Sequence, residues 1–249
     1  MTQFTDDQLA EYLTTLELAD VPAALVRRDL TLTDDTEQGL VDAGSLVSFV
    51  AGLSKQTKAD VLNSTLLAQL AANKAYDREN DTDNWYKKYR EVLENIGWVI
   101  SEFKFTKYQA SGTTLQIKKV VLELLAAIMS ENPLAVTKAT LDAVESLGDG
   151  DDRVALFSSN SSNSSSGNFQ VAAVVEDKKT PTMMIGAFYF KSNDVKVNFL
   201  WAHFQTSNTS LYQGTQTLTL DEDVYARVRQ QIIDKLGERA TQYIADLDI

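Results

Sequence analysis

The chain has no cysteine, a single histidine and fewer basic than acidic residues. Without cysteine there can be no disulfide, thiolate nucleophile, zinc–thiolate site or S-acylation. The redox compartment stays open, because a cysteine-free chain works inside or outside a cell. Any Ser-His-Asp triad would have to use His203, and a metal site would have little besides carboxylates to draw on. Thirty-five acidic residues against 23 basic ones give a net charge of −12. That argues against nucleic acid, which needs clustered Lys and Arg, and against docking on an anionic membrane by charge alone. No stretch approaches the roughly 20 apolar residues of a membrane span. Residues 1–7 have no basic start and no apolar run, so no secretory signal is expected. The expectation is a protein cytoplasmic as made, exported if at all by a signal-independent route.

What is present is ordinary for a globular protein: 249 residues, 44% of them apolar and 23% charged. That length allows one large domain or two small ones. We read a single α+β domain over 1–249, with a subdivision into a mostly helical 1–150 and a sheet plus C-terminal helix at 151–249.

The first half reads as helices. Thr5 with Gln8 forms a capping box ahead of Leu9, Tyr12, Leu13 and Leu16 at helical spacing. Pro22 fits the first turn of a second helix carrying Leu25 and Val26. An acidic stretch at 34–37 opens a helix with Leu40, Val41, Leu46, Val47, Phe49 and Val50. Ser54 starts a longer one with Val61, Leu62, Leu66, Leu67 and Leu70. The acidic turn 77–83 precedes a helix with Trp85, Tyr89, Val92, Leu93 and Ile96. The period then changes to 2 around Phe103 and Phe105, which predicts a strand over 98–108 that partners a later sheet. Helices follow over 118–129 and from Pro133 to Leu147. Seven Ser and two Asn in the ten residues 158–167 predict a polar, mobile loop.

Residues 168–220 then read as an antiparallel β-meander. Its apolar segments are 169–175, 183–190 and 197–204, with a more polar fourth at 212–220. Short polar connections favour antiparallel neighbours. The second and third segments are apolar on both faces and need cover on both. Thr215, Thr217 and Thr219 alternate in the fourth, giving it one wet face and marking it as the sheet edge. Asp221, Glu222 and Asp223 cap a long final helix with Val224, Val228, Ile232, Leu236, Tyr243, Ile244 and Leu247. The expected fold is therefore α+β: a helical N-terminal half, a meander of about four to five strands and a long C-terminal helix.

No catalytic, cofactor-binding or metal-ligating residue is assigned, and no cofactor is expected. His203 lies in an apolar strand with no G-x-S-x-G elbow and reads as structural. The turn 77–83 alternates acids as a calcium loop does, but it lacks the central Gly and the glutamate at position 12. That turn and 149–152 read as helix caps. Glu123, among apolar neighbours, would be a general acid if buried; the simpler reading turns it outward. The aromatic group Trp85, Tyr86, Tyr89, Trp98, Phe103, Phe105 and Tyr108 reads as core rather than as a ligand box. The N-x-S/T triplets at Asn63, Asn160, Asn163 and Asn208 read as composition.

The segments 84–89 (NWYKKY), 186–190 (GAFYF) and 198–201 (NFLW), with amphipathic helices before a late aromatic sheet, resemble bacterial proteins of the Erwinia virulence factor type. That resemblance implies a role in the interaction of bacteria with insects. A lipid-modified cysteine belongs to that family's picture, and this chain has none, so no acylation and no site residue is carried over.

Three functions remain. One is a non-enzymatic virulence or toxin-like effector acting on a protein partner or a host membrane. The second is an assembly subunit, a homo-oligomer that covers its two-faced sheet with another copy. The third is an enzyme with an unrecognised carboxylate site such as Glu123.

Overall fold

The computed structural model describes residues 5–22, 27–101, 104–110, 112–193 and 199–249. Leu25, Val26, Phe103, Val197 and Asn198, which the sequence reading uses, lie outside the described residues. Helix α1 (Asp6–Thr15) is followed by strands β1 (Gln38–Asp42) and β2 (Ser45–Phe49), then by α2 (Lys55–Ala75) and α3 (Thr82–Asn95). Short strands β3 (Trp98–Ile100), β4 (Thr106–Lys107) and β5 (Thr114–Gln116) lead to α4 (Ile117–Leu125), α5 (Glu131–Ser146) and α6 (Asp152–Ser161). Long strands β6 (Ser166–Asp177) and β7 (Thr180–Ser192), short β8 (His203–Gln205) and long β9 (Thr209–Leu220) come next. The chain closes with α7 (Glu222–Leu236), α8 (Arg239–Tyr243) and β10 (Ile244–Leu247).

The expected fold class is corrected on three counts. The main sheet is mixed and eight-stranded, in the order β10-β1-β2-β6-β7-β9-β3 with β4 also on β9. Its N-terminal half supplies four of those strands, so that half is not simply helical. The junction of β2 with β6 is parallel, so the sheet is not a meander.

The physical reasons are local. Residues 38–49 look helical because every position in β1 and β2 is buried, which hides a period of 2. The turn Ala43-Gly44 joins Asp42 to Ser45, and Ala43 sits at φ 50. The final helix stops at Gly237, whose φ of 54 favours glycine. The chain then adds β10 to β1, 200 residues away, a pairing no local pattern reveals. Segment 197–204 contributes only β8, paired with β5 in a separate two-stranded sheet. Its Phe199 instead packs into the core against Phe157 and Phe169, with ring centroids 5.8 and 5.2 Å away. The Ser/Asn stretch is ordered: Ser161 donates to the Phe157 carbonyl at 2.6 Å, and Asn163 accepts from the Ser165 and Ser166 amides.

Register decides what each face of the sheet meets. Phe169 lies across from Phe188, Val171 from Gly186 and Leu46, and Ala173 from Ser48. This face meets α4, α5 and α6: Ser48 bonds to Thr140 at 2.8 Å, and a Cβ on Gly186 would press on Leu125. The opposite face carries Leu40, Asp42, Ser45, Asn168, Gln170, Ile185 and Gln216, and it meets α2 and α3. Helix α7 packs on α2, and α1 packs on α7. The chain's own helices thus supply the cover that the two-faced strands require. β9 keeps its wet threonine row, with Thr217 exposed, and its outer side carries only short β3 and β4.

Gly44 is a position where backbone and side chain come very close. A Cβ there would overlap the Arg78 guanidinium and the Asn160 carbonyl. Gly44→Ala is expected to destabilise the fold by about 1–3 kcal/mol, as overpacking does. A denaturant midpoint unchanged from the parent would contradict this account of the turn.

Candidate functional site

The register places a row of polar side chains on the α2–α3 face, and α2 answers it. Asp42, Ser45 and Gln170 stand side by side on β1, β2 and β6. Lys58, Thr65 and Gln69, seven and four residues apart, share one side of α2 and point at that row. Thr65 donates its hydroxyl to the Asp42 carboxyl. Gln69 donates to the Asp42 carbonyl at 3.0 Å and accepts the Gly44 amide at 3.0 Å. Ser45 donates to Gln170 Oε1 at 2.6 Å. Tyr86, on α3, donates to Asn168 Oδ1 at 2.9 Å, and Asn168 Nδ2 donates to the Arg78 carbonyl at 2.8 Å.

Three ionisable groups in this layer are buried without an opposite charge in contact. Asp42 is 0% exposed, and desolvation pushes its carboxyl up to about 8 despite the Thr65 bond, so it holds a proton at neutral pH. Its Oδ1 has no hydrogen-bond partner. Lys58 Nζ is caged by the Thr33 and Thr36 carbonyls, both at 2.8 Å, and by Gln38 Oε1 at 2.9 Å. Burial lowers the Lys58 pKa, while Asp34, Asp246 and Asp35 pull it back up from a distance. The Arg78 guanidinium donates to the Asn160 carbonyl and, at 3.5 Å, to that of Gly44; it lies 4.8 Å over the Trp85 ring. Burial lowers the Arg78 pKa, and its Nε has no partner. By contrast Asp60, also buried, is clamped by Arg229 through bonds of 2.9 and 2.7 Å, which fastens α7 to α2.

Such a layer is chemically quiet but mechanically specific. No pair in it has the nucleophile–base arrangement of covalent catalysis. Buried cations satisfied only by carbonyls hold a helix layer less firmly than apolar side chains of the same size would. Water would solvate Lys58 and Arg78 at least as well as their present partners do.

The residues considered from sequence fall elsewhere. His203 is exposed on β8 opposite Gln116, and among the described residues its side chain makes no hydrogen bond. Glu123 is exposed on α4, accepts from Tyr108 at 3.3 Å and pairs with Lys119 at 3.9 Å, which is the outward reading. Asp77 accepts the Glu79 and Asn80 amides and so folds its own turn. Asp151 caps α6 through the Arg153 amide. Trp85, Tyr86, Tyr89 and Trp98 are buried core residues, whereas Phe105 and Tyr108 are half-buried. Among the described residues no group of three or more His, Asp or Glu side chains is placed to hold a metal ion. The residues that sequence reasoning missed are Asp42, Lys58 and Arg78. The available signal was the repeated polar position Lys58-Thr65-Gln69 on a helix buried nearly all round.

No family model matches the chain, and no curated protein matches it. Solved structures resemble it at low identity. A structure of the Evf virulence factor is 14% identical, with a TM-score of 0.38, covering 95% of this chain and 89% of that one. A delta-endotoxin is also 14% identical, with a TM-score of 0.38 and coverage of 80% and 90%. The activated Cyt2Ba monomer from Bacillus thuringiensis subsp. israelensis is 7% identical, with a TM-score of 0.31 and coverage of 54% and 77%. The first of these carries the name of the virulence-factor type that the sequence resembles.

Proposed function

We propose that this protein is a non-enzymatic, toxin-like effector that acts on membranes, and that it does so by lifting the α2–α3 layer off its sheet. The observation that carries this reading is the pairing of long strands with a cover whose polar row buries Asp42, Lys58 and Arg78 with no opposite charge in contact among the described residues. Strands β6, β7 and β9 are 12, 13 and 12 residues long. They pair side by side along nearly their whole lengths. A membrane-crossing strand needs about 9–11 residues, so each is long enough. Among the described residues no helix is long and apolar enough to cross a membrane. Spanning structures must satisfy every backbone group internally, and three ladder-paired strands already do so along their shared edges.

Both faces of the sheet are occupied by the chain's own helices, and the large exposed apolar residues Tyr76, Val99, Ile233 and Ile249 sit on separate elements. That supports an effector that must rearrange over a subunit that docks as folded.

The pH sign follows from Asp42. An acidic protein suggests lipid activity on acidification, as carboxylates lose charge. A buried carboxyl titrating near 8 works the other way, because its ionisation on raising the pH places an anion inside the layer. Dye release from phosphatidylcholine vesicles is expected to rise from pH 6 to pH 9. Vesicles that stay intact across pH 4 to 9, with no protein bound, would refute the membrane reading.

A further inference from the structure

Two clefts at the α3 end of β7 and β9 share a wall. The first, of about 290 Å³, sets Glu79, Asp81 and Asp83 against the rings of Phe105, Tyr189 and Tyr212. The second, of about 460 Å³, shares Asp83, Phe105 and Tyr212 with the first and is lined besides by Lys87, Arg90 and Lys104. The wall is fixed in place. Tyr189 and Tyr212 lie 6.1 Å apart on paired positions of β7 and β9, and the Tyr189 hydroxyl donates to the Glu79 carbonyl at 3.0 Å. Phe105 packs edge-on against Tyr86 at 4.9 Å.

Each lobe shows the ligand chemistry it suits. Lys191, which lines neither cleft, rests with its ammonium 5.6 Å from the centroid of the Tyr189 ring, a cation–π contact made from outside the lobe. In the second lobe Arg90 pairs with Glu94 through Nη2 only at 3.4 Å and stands with Lys87 and Lys104 along the same cleft. A guanidinium beside two lysines is an anion-binding arrangement. Carboxylates with ring faces suit an alkylated ammonium, which has no N–H to donate and is recognised by charge and by π-faces.

We propose that the two lobes form one site for a small zwitterion of phosphocholine chemistry, with its ammonium among Asp81, Asp83, Tyr189 and Tyr212 and its phosphate on Lys87, Arg90 and Lys104. The same chemistry is offered by free phosphocholine and by a phosphatidylcholine headgroup. Only the second source rests on the membrane reading above.

The test uses the full chain and two exposed positions, Asp83 and Lys104, whose replacement should leave the chain folded. Calorimetric titration with free phosphocholine is expected to show saturable binding, weakened tenfold or more by either Asp83→Lys or Lys104→Glu. Choline alone is expected to lose binding with Asp83→Lys and to keep it with Lys104→Glu. The absence of saturable phosphocholine binding, or binding that neither variant changes, overturns the proposal. Vesicle arms separate it from the membrane reading. Free phosphocholine bound without attachment to phosphatidylcholine vesicles supports the site and refutes that reading. Attachment that both variants leave intact shows that the site does not take the headgroup, and supports that reading.

Discussion

Asp42→Asn is expected to make the protein more stable above pH 8 and to flatten its stability between pH 4 and pH 8. The folded carboxyl titrates at about 8, against an ordinary 3.8, and burial is the main cause. With the folded value raised, the native state binds a proton that the unfolded chain releases. Its contribution is complete below the unfolded pKa, falls as pH rises, and is gone above about 8. A shift of about four units corresponds to on the order of 5 kcal/mol across that window. That is comparable with the whole stability of many domains, about 5–15 kcal/mol.

Asparagine keeps the acceptor for Thr65 and cannot ionise. Its amide N–H replaces an oxygen that lacks a partner among the described residues, so the two proteins should lie within about 2 kcal/mol of each other at pH 5. Carboxylates held low by partners act in the opposite direction at lower pH. Asp142 sits with Lys118 and Lys138, and Asp151 with Arg153; both contributions are lost as pH falls through their folded values. Denaturant unfolding at pH 5, 7 and 8.5 measures the result. Parallel pH profiles for parent and variant would show that Asp42 is not the buried acid described here. The same substitution should reduce dye release at pH 9, because it removes the charge that loosens the layer.

The sequence made some of this structure legible and hid the rest for identifiable reasons. Amphipathic helices announced themselves where one side is wet: α1, with its Thr5–Gln8 capping box, and α3, with Trp85, Tyr89 and Val92 on one side. Strands β6 and β7 were legible because their apolar runs end in turn residues, and β9 because Thr217 faces water. The hairpin β1–β2 was not, since residues buried on both faces have no period to read. The β2–β6 and β10–β1 pairings are long-range and leave no local trace. At the candidate site the problem was one of partners. Lys58 and Asp42 look like ordinary surface charges in sequence; only the register that brings Asp42 beside Ser45 and under Thr65 makes them buried. Arg78 sits inside an acidic turn, where the local pattern suggests a salt bridge, and instead turns inward over Trp85. Glu123, singled out for its apolar neighbours, faces out because α4 is wet on that side.

The central claim is that α2 and α3 separate from the sheet, and it can be tested by a lock. Thr65 and Asp42 touch across the layer, one on α2 and one on β1, and the chain has no cysteine of its own to compete. Asp42→Cys/Thr65→Cys places one thiol on β1 and one on the part of α2 that faces it, and thiol titration reads whether they close into a disulfide. A staple here fastens the cover at its polar row. The same double variant serves as its own control, since only the oxidation state changes. The double variant lacks the Asp42 carboxyl and so releases less dye than the parent, but its release from phosphatidylcholine vesicles at pH 9 is expected to fall at least tenfold further when the pair is oxidised and to return on adding a reductant. Equal release from the oxidised and reduced forms, with the disulfide verified by thiol titration, would contradict the account: the sheet would then act with α2 still in place.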